Sequence, residues 1–177
     1  ATAAAQQRQG RIAALRSRPA LWGLWAQFLC FSLAFSLFTS GFALFAERRF
    51  VYHGKPFGPR EIGYLFAYSG FLGIVLQGGL LGRMVKRFGE PRLAQAGFLA
   101  AALAYGLLGL VHHAPWLLLV STISAFGNGL LRPVITGQVS QAAGKDEQGA
   151  VLGLNQSLSS LATVIVPPIG GALLDHG

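Results

Sequence analysis

Arg132 is the residue with most chemistry to explain. It lies about 17 residues into an otherwise apolar run, 115–140, where an ionised side chain is costly unless it finds a partner or water. Ser121, Ala125, Asn128, Arg132 and Thr136 recur at spacings of three or four, so on a helix they share one face. Such a stripe must face other helices or a water-filled space, where it supplies hydrogen-bond donors and a positive charge. Asp146 and Glu147 are the acids nearest in sequence. The expectation is that Arg132 stands near the cytoplasmic end of its span and pairs transiently with one of them. The alternative is a long side chain that reaches the headgroups without any switching role. Gly127, Gly129 and Pro133 surround it and would loosen or kink the helix, giving it a pivot.

Other polar residues are set into apolar runs in the same way. Asn155 or Gln156, Ser159 and Thr163 form a line in 149–174, and Gln77 sits among glycines in 62–83. The first run carries Gln27, Phe31, Phe35, Phe38, Phe42 and Phe45 at helical spacing, with a separate line of Ser32, Ser36 and Ser40. An aromatic wall with a few hydrogen-bonding groups suits a lipophilic small molecule. Phenylalanines in a membrane helix also face lipid or neighbouring helices, so that stripe has two readings. The candidate cavity set is Gln27, Phe31, Gln77, Asn128, Asn155, Gln156 and Ser159, with Tyr64 and Tyr68 as either cavity residues or interfacial anchors. Enzyme chemistry finds no support here: no Ser/His/Asp set, carboxylate pair or metal cluster falls at one depth. His112 and His113 are adjacent and would point apart on a helix, and Cys30 reads as a small packing residue. No metal or cofactor is implied.

The elements that must position these residues follow from hydropathy. Of 177 residues, 53% are hydrophobic and only 11% charged, about half the charge of an ordinary soluble domain, and mean hydropathy is +0.51. Five apolar runs, 20–46, 62–83, 92–111, 115–140 and 149–174, each reach the ~20 residues needed to cross a bilayer. Backbone groups in lipid must be satisfied within the segment, so the runs are predicted as helices, and no strand pattern stands out. The fold class expected is an all-α integral membrane protein. Lysines and arginines concentrate before the first run (Arg8, Arg11, Arg16, Arg18), between the second and third (Arg83, Lys86, Arg87, Arg92) and after the fourth (Lys145). Arg48, Arg49, Lys55 and Arg60 lie on the other side. That bias places the N-terminus in the cytoplasm. Residues 6–18 form either an amphipathic surface helix or a basic tail. A net charge of +8 spread in short groups is no phosphate-binding face, which excludes nucleic acid as a partner. Small-xxx-small spacings at Gly78/Gly82 and Gly149/Gly153 predict close helix packing.

The loop Gly82-Arg83-Met84-Val85-Lys86-Arg87-Phe88-Gly89-Glu90-Pro91-Arg92 resembles the cytoplasmic signature of the major facilitator superfamily, G-x-x-x-D-R-x-G-R-R. Gly82, Arg87 and Gly89 match, while Lys86 stands where the family prefers Asp. Residues 126–144, the following Glu147–Gly153 and Asn155–Leu161 stretches, and Pro167-Pro168-Ile169-Gly170-Gly171 are similar to helices ten and eleven of the family's drug:proton antiporters, the tetracycline-efflux-like branch above all. The resemblance implies that residues 20–177 are the C-terminal transmembrane bundle, helices seven to eleven of a twelve-helix fold, and that 1–19 is the cytoplasmic linker between halves. It makes Gly82, Lys86, Arg87, Gly89, Arg132 and Glu147 the conformational-switch residues. It implies alternating-access export of small amphipathic or drug-like molecules in exchange for protons across a bacterial inner membrane. The partners implied are the substrate, protons, the lipid bilayer and an N-terminal half absent from this chain. A sugar or metabolite symporter or uniporter of the same fold, or a non-transporting scaffold, are the alternatives. None of the six acids lies well inside a run, so the proton-carrying carboxylate is expected in the other half. The chain opens on Ala1 and its only methionine is Met84, which also reads as a piece of a longer protein.

Overall fold

The computed structural model describes residues 19–52, 54–144 and 147–175, the last four as backbone only. The readings of 1–19 as a linker, of 6–18 as a surface helix and of Asp146 as an arginine partner fall wholly or mainly outside the described residues.

Among the described residues the chain is all-α apart from one small hairpin. Helix α1 spans Pro19–Arg49, followed by strands β1 (Val51–Tyr52) and β2 (Lys55–Pro56). Helix α2 is Pro59–Val75, a π-helical turn occupies Leu76–Leu80, and α3 is Leu81–Phe88. Helices α4 (Glu90–Leu110), α5 (Trp116–Ala142) and α6 (Gln148–Asp175) complete the chain. With α2, the π turn and α3 counted as one, five helical segments are long and apolar enough to cross a membrane. Each extends beyond its apolar run at one end or both, by one to five residues, because helical hydrogen bonding continues into the polar flanks.

Local sequence accounts for the boundaries. At the start of α2, the Gly58 N–H donates to Glu61 Oε2 at 3.1 Å, and Pro59 opens the helix with the φ that it requires. A single residue separates α3 from α4: Gly89 at φ +79°, a conformation that side-chain-bearing residues rarely adopt. The Gly89 N–H donates to Val85 O at 2.9 Å and its own carbonyl accepts from Leu93 N–H at 3.2 Å, so one residue ends one helix and starts the next.

The hairpin departs from the expectation of no strands. Val51 pairs with Pro56 and Tyr52 with Lys55 in antiparallel register, around Gly54 at φ +75°. Strands of two residues are too short to show a period in sequence. Their effect is to tuck Phe50 and Phe57 beneath the end of the bundle, with ring centroids 6.4 Å apart, against Phe42, Ala46, Ile62, Leu65 and Leu117.

Glycine-to-backbone contact holds the bundle together. A Cβ on Gly127 of α5 would stand 2.7 Å from Ala101 N and 3.0 Å from Gly97 O of α4. The two backbones therefore touch, and Leu131 fills the notch at Gly97. Gly129, two residues on, receives Leu76, whose Cδ2 would lie 2.9 Å from an added Cβ. Gly127 and Gly129 serve close approach, and α5 runs as one helix with Pro133 inside it. The small-residue pairs at Gly78/Gly82 and Gly149/Gly153 have nothing within 4 Å of an added Cβ, so the described packing does not use them. Helices α1 and α6 meet through Ser36 Oγ, which donates to Ala162 O at 3.2 Å, and through Gly170 against Leu37 and Ser40. At the far end Arg49 Nη2 donates to Gly109 O at 2.7 Å and Arg49 Nε to Val111 O at 3.2 Å. A cation thereby caps the orphan carbonyls of α4. Cys30, expected to pack, is free and exposed.

Gly127→Ala is expected to destabilise the bundle by ~1–3 kcal/mol through overpacking against a backbone that cannot move aside. Gly106→Ala, which meets nothing within 4 Å, should be neutral or slightly stabilising. Unfolding of both variants in detergent, followed by circular dichroism, checks this; equal midpoints would show that the α4–α5 crossing does not hold the fold.

Candidate binding cavity

An open cavity of about 900 Å³ lies halfway along the helices, enclosed by α1, α2, α5 and α6. Among the described residues α4 contributes nothing to its lining; it backs α5 from behind.

Phenylalanines and hydroxyls run the length of the cavity, and its charge lies toward the Pro19 end. Toward the Arg49 end it is walled by Phe38, Phe42, Phe66 and Leu117, with the Phe42 and Phe66 rings 5.6 Å apart in an edge-on arrangement. Toward the Pro19 end it meets Gln77, Arg132, Gln156 and Ser159. Phe31 and Phe35, stacked with centroids 5.9 Å apart, run down one side. Ser121, Ala125, Asn128 and Arg132 share the wall that α5 provides, whereas Thr136 lies outside the lining.

Arg132 is exposed to this space and has no hydrogen bond or ion pair to any described residue. Glu147 is bound into a local turn instead: its Oε2 accepts from Gly144 N–H at 3.1 Å. Gly144 stands twelve residues beyond Arg132, ~18 Å at helical rise, so Glu147 and Arg132 do not pair in this conformation. The positive charge is left for the cavity's contents or for a group beyond the described residues.

Gln77 reaches the cavity from the π turn, where Leu81 N–H bonds back to Leu76 O. The extra residue re-aims the side chains of that turn, and π turns recur at functional sites for this reason. Asn128 is held by two neighbours: Tyr105 Oη donates to its Oδ1 at 3.1 Å, and its Nδ2 donates to Ser124 Oγ at 2.9 Å. Outside the lining, on the exposed surface, Tyr68 Oη and Thr122 Oγ1 share a 3.0 Å bond, and Tyr64, bonded to Arg60 Nε at 3.2 Å, also lies outside it.

Two candidates lie elsewhere. Gln27 is exposed on α1 and outside the lining, because the inward face of α1 runs through Phe31, Phe35, Phe38 and Phe42. Asn155 is 4% exposed and is turned into the helix interface, while its neighbour Gln156 lines the cavity. Both amide atoms of Asn155 lack a partner among the described residues. In the loop motif Gly89 makes the turn, Gly82 and Lys86 are exposed, and the Arg87 guanidinium lies 5.4 Å over the Phe88 ring. The anchor of this loop was missed in sequence: Glu90 Oε1 accepts from Gln141 Nε2 at 2.8 Å and fills the space beside Gly137 of α5. Phe66, Ser69, Gly70 and Gly73 of α2 also line the cavity. Their pattern is too glycine-rich and weakly polar to mark a face in sequence. Tyr105 was missed because its role depends on a helix far away in the chain.

Five described helices long and apolar enough to cross a membrane, with an aromatic-walled cavity between four of the segments, define an all-α integral membrane protein. The chain belongs to the Major Facilitator Superfamily, whose sequence profile matches residues 2–167. It is similar to Multidrug resistance protein 2 of Bacillus subtilis (strain 168), at 30% identity over 149 residues, covering 83% of this chain and 36% of that protein. Multidrug resistance protein 1 of the same strain is 32% identical over 144 residues, covering 81% and 36%. The class B Tetracycline resistance protein of Escherichia coli is 29% identical over 133 residues, covering 75% and 32%. The chain thus spans about a third of the length of these relatives.

With Cys30 replaced by Ser, cysteines introduced singly at Gln156 and Ser159 should react with a charged methanethiosulfonate reagent in membranes. Leu161→Cys, exposed but outside the cavity lining, should remain unlabelled because a charged reagent does not enter hydrocarbon. Equal labelling at all three positions would remove the cavity from consideration.

Proposed function

We propose that the chain is the C-terminal half of a secondary transporter that exports small amphipathic, drug-like molecules. Residues 1–19 are then the linker between halves and 20–177 the transmembrane bundle, inserted in a bacterial inner membrane with the N-terminus cytoplasmic. The observation that carries this reading is the cavity: phenylalanines along its length and Arg132, exposed to the space without a protein partner among the described residues, toward the Pro19 end. An amphipathic molecule matches that arrangement by placing rings on the phenylalanines and an acceptor or anionic group on the guanidinium. The relatives named for multidrug and tetracycline resistance support the same class of cargo.

Alternating access follows if this bundle rocks against a second one about a shared midplane site. The Gly82–Arg92 loop is then a contact that closes on one side, with Glu90 and Gln141 tying its movement to α5. Proton exchange is assigned to a carboxylate of the other half, because the described cavity wall presents none. Residues Gly82, Lys86, Arg87, Gly89 and Glu147 act in this scheme on the bundle's cytoplasmic edge, and Gln77, Asn128, Arg132, Gln156 and Ser159 on the cargo.

The test uses the full-length transporter in inverted membrane vesicles. Uptake of an amphipathic fluorescent dye should collapse when the pH gradient is dissipated; uptake that survives it would sink proton antiport and leave facilitated diffusion. Arg132→Ala should weaken binding of an anionic aromatic dye about tenfold or more, the order of a hydrogen bond to a charged group. Arg132→Lys should recover part of it, since the ammonium keeps the charge but loses the planar fork.

A further inference from the structure

Asn128 is the polar residue of the cavity wall whose hydrogen bonds are fixed on both sides, and both of its partners are hydroxyls. A side-chain amide has one end that only donates and one that only accepts, whereas a tyrosine or serine hydroxyl does either. In the arrangement seen, Tyr105 Oη donates to Oδ1 at 3.1 Å and Nδ2 donates to Ser124 Oγ at 2.9 Å. Rotating the amide by half a turn and reversing the two hydroxyl protons yields Nδ2–H donating to Tyr105 Oη and Ser124 Oγ–H donating to Oδ1. The number of bonds is unchanged, and the two distances are nearly equal, so no backbone movement is required. The hydroxyls themselves are held in place. Tyr105 lies behind the cavity wall on α4, its ring stacked on Phe38 with centroids 5.1 Å apart, and Ser124 is buried one helical turn before Asn128.

We propose that Asn128 is a hydrogen-bonding anchor of either polarity for the transported molecule, and that Tyr105 is the positioning residue that allows it to reverse. This rests on the cavity being the site of transport. Each end of the amide keeps one unused hydrogen-bonding position, so the atom nearer the cavity offers its remaining N–H to a carbonyl or ring nitrogen of the cargo in one orientation, and a carbonyl lone pair to a cargo N–H or O–H in the other. Arg132 can only donate, so Asn128 gives the wall a second polar point that does not select against hydrogen-bond donors. The cargo class extends to neutral aromatic molecules carrying one polar group of either kind.

The experiment uses the full-length transporter in lipid nanodiscs and two neutral tricyclic probes of nearly the same shape. Fluorenone presents a carbonyl acceptor and carbazole an N–H donor, each measured by displacement of a bound dansyl amphiphile. Asn128→Leu should weaken both probes by similar factors, roughly 3–10-fold, the order of one hydrogen bond. Tyr105→Phe, which keeps the ring and its stacking on Phe38, should weaken both by a smaller, equal factor, and should have no further effect on the Asn128→Leu background. Thermal unfolding midpoints of the variants verify that each is folded. A loss confined to one probe overturns the proposal, because it means that the amide has a fixed polarity. An undiminished effect of Tyr105→Phe without Asn128 overturns the positioning role. If the wild-type protein binds neither the dansyl amphiphile nor the probes, the cavity reading itself fails and takes the proposal with it.

Discussion

The architecture depends on one contact, the crossing of α4 and α5 at Gly97 and Gly127. Between helices in a bilayer there is no water to expel, so association rests on van der Waals packing and on hydrogen bonds between backbones brought close. At this crossing the absence of two side chains lets peptide groups touch, with an added Cβ on Gly127 only 2.7 Å from Ala101 N. One face of α5 is thereby committed to α4, and its remaining faces are free to serve other helices and the cavity. The polar stripe through Ser121, Asn128 and Arg132 flanks that face and lines the cavity, with Asn128 still bonded to Tyr105 of α4. Leu76 docking at Gly129 then places the π turn, and with it Gln77, at the cavity's polar end.

Charge placement follows the same division. Cations at the helix ends have local employment: Arg49 caps the carbonyls of Gly109 and Val111 and Arg87 lies over Phe88. The acids do likewise, Glu61 at the start of α2 and Glu147 within its turn. Among the described residues Arg132 alone of the cations lines the open cavity, and this is why the polar end of the cavity has an electrostatic character that its neutral amides could not supply. Its charge is a demand placed on whatever occupies the cavity or faces it.

Much of this fold was legible in sequence, since length and hydropathy suffice to find membrane helices. Wherever helical periodicity was enough, the face was legible too: Phe31, Asn128, Arg132 and Gln156 line one space because the spacing of their runs puts them there. Reading failed where a neighbour decides. Gln27 and Phe31 sit one turn apart, yet a small rotation of α1 sends the first outward. Asn155 and Gln156 differ by a single position, and the approach of α1 determines which is buried. The glycine pairs singled out in sequence stayed idle while Gly97 and Gly127, on different helices, made the contact; Gly97 and Ala101 of α4 themselves keep the small-xxx-small spacing, whereas Gly127 has no small residue four positions away in α5. The transient pairing expected of Arg132 with Asp146 or Glu147 is not made by Glu147 in this conformation, where its carboxylate accepts from Gly144 N–H, and Asp146 lies outside the described residues.

The π turn at Leu76–Leu80 adds a residue without interrupting the helix. One residue turns an α-helix by about 100° for a 1.5 Å rise. Side chains of α3 are therefore out of phase with those of α2, and a single helical wheel drawn through Pro59–Phe88 misassigns one half or the other. The span behaves like two shafts joined at an offset coupling. Its upper part presents Phe66, Ser69, Gly70 and Gly73 to the cavity, while its lower part lays Leu81, Met84 and Val85 against Leu93, Ala94 and Val134. The phase offset lets one span serve the cavity with one face of its upper part and the packing of α4 and α5 with a different face of its lower part.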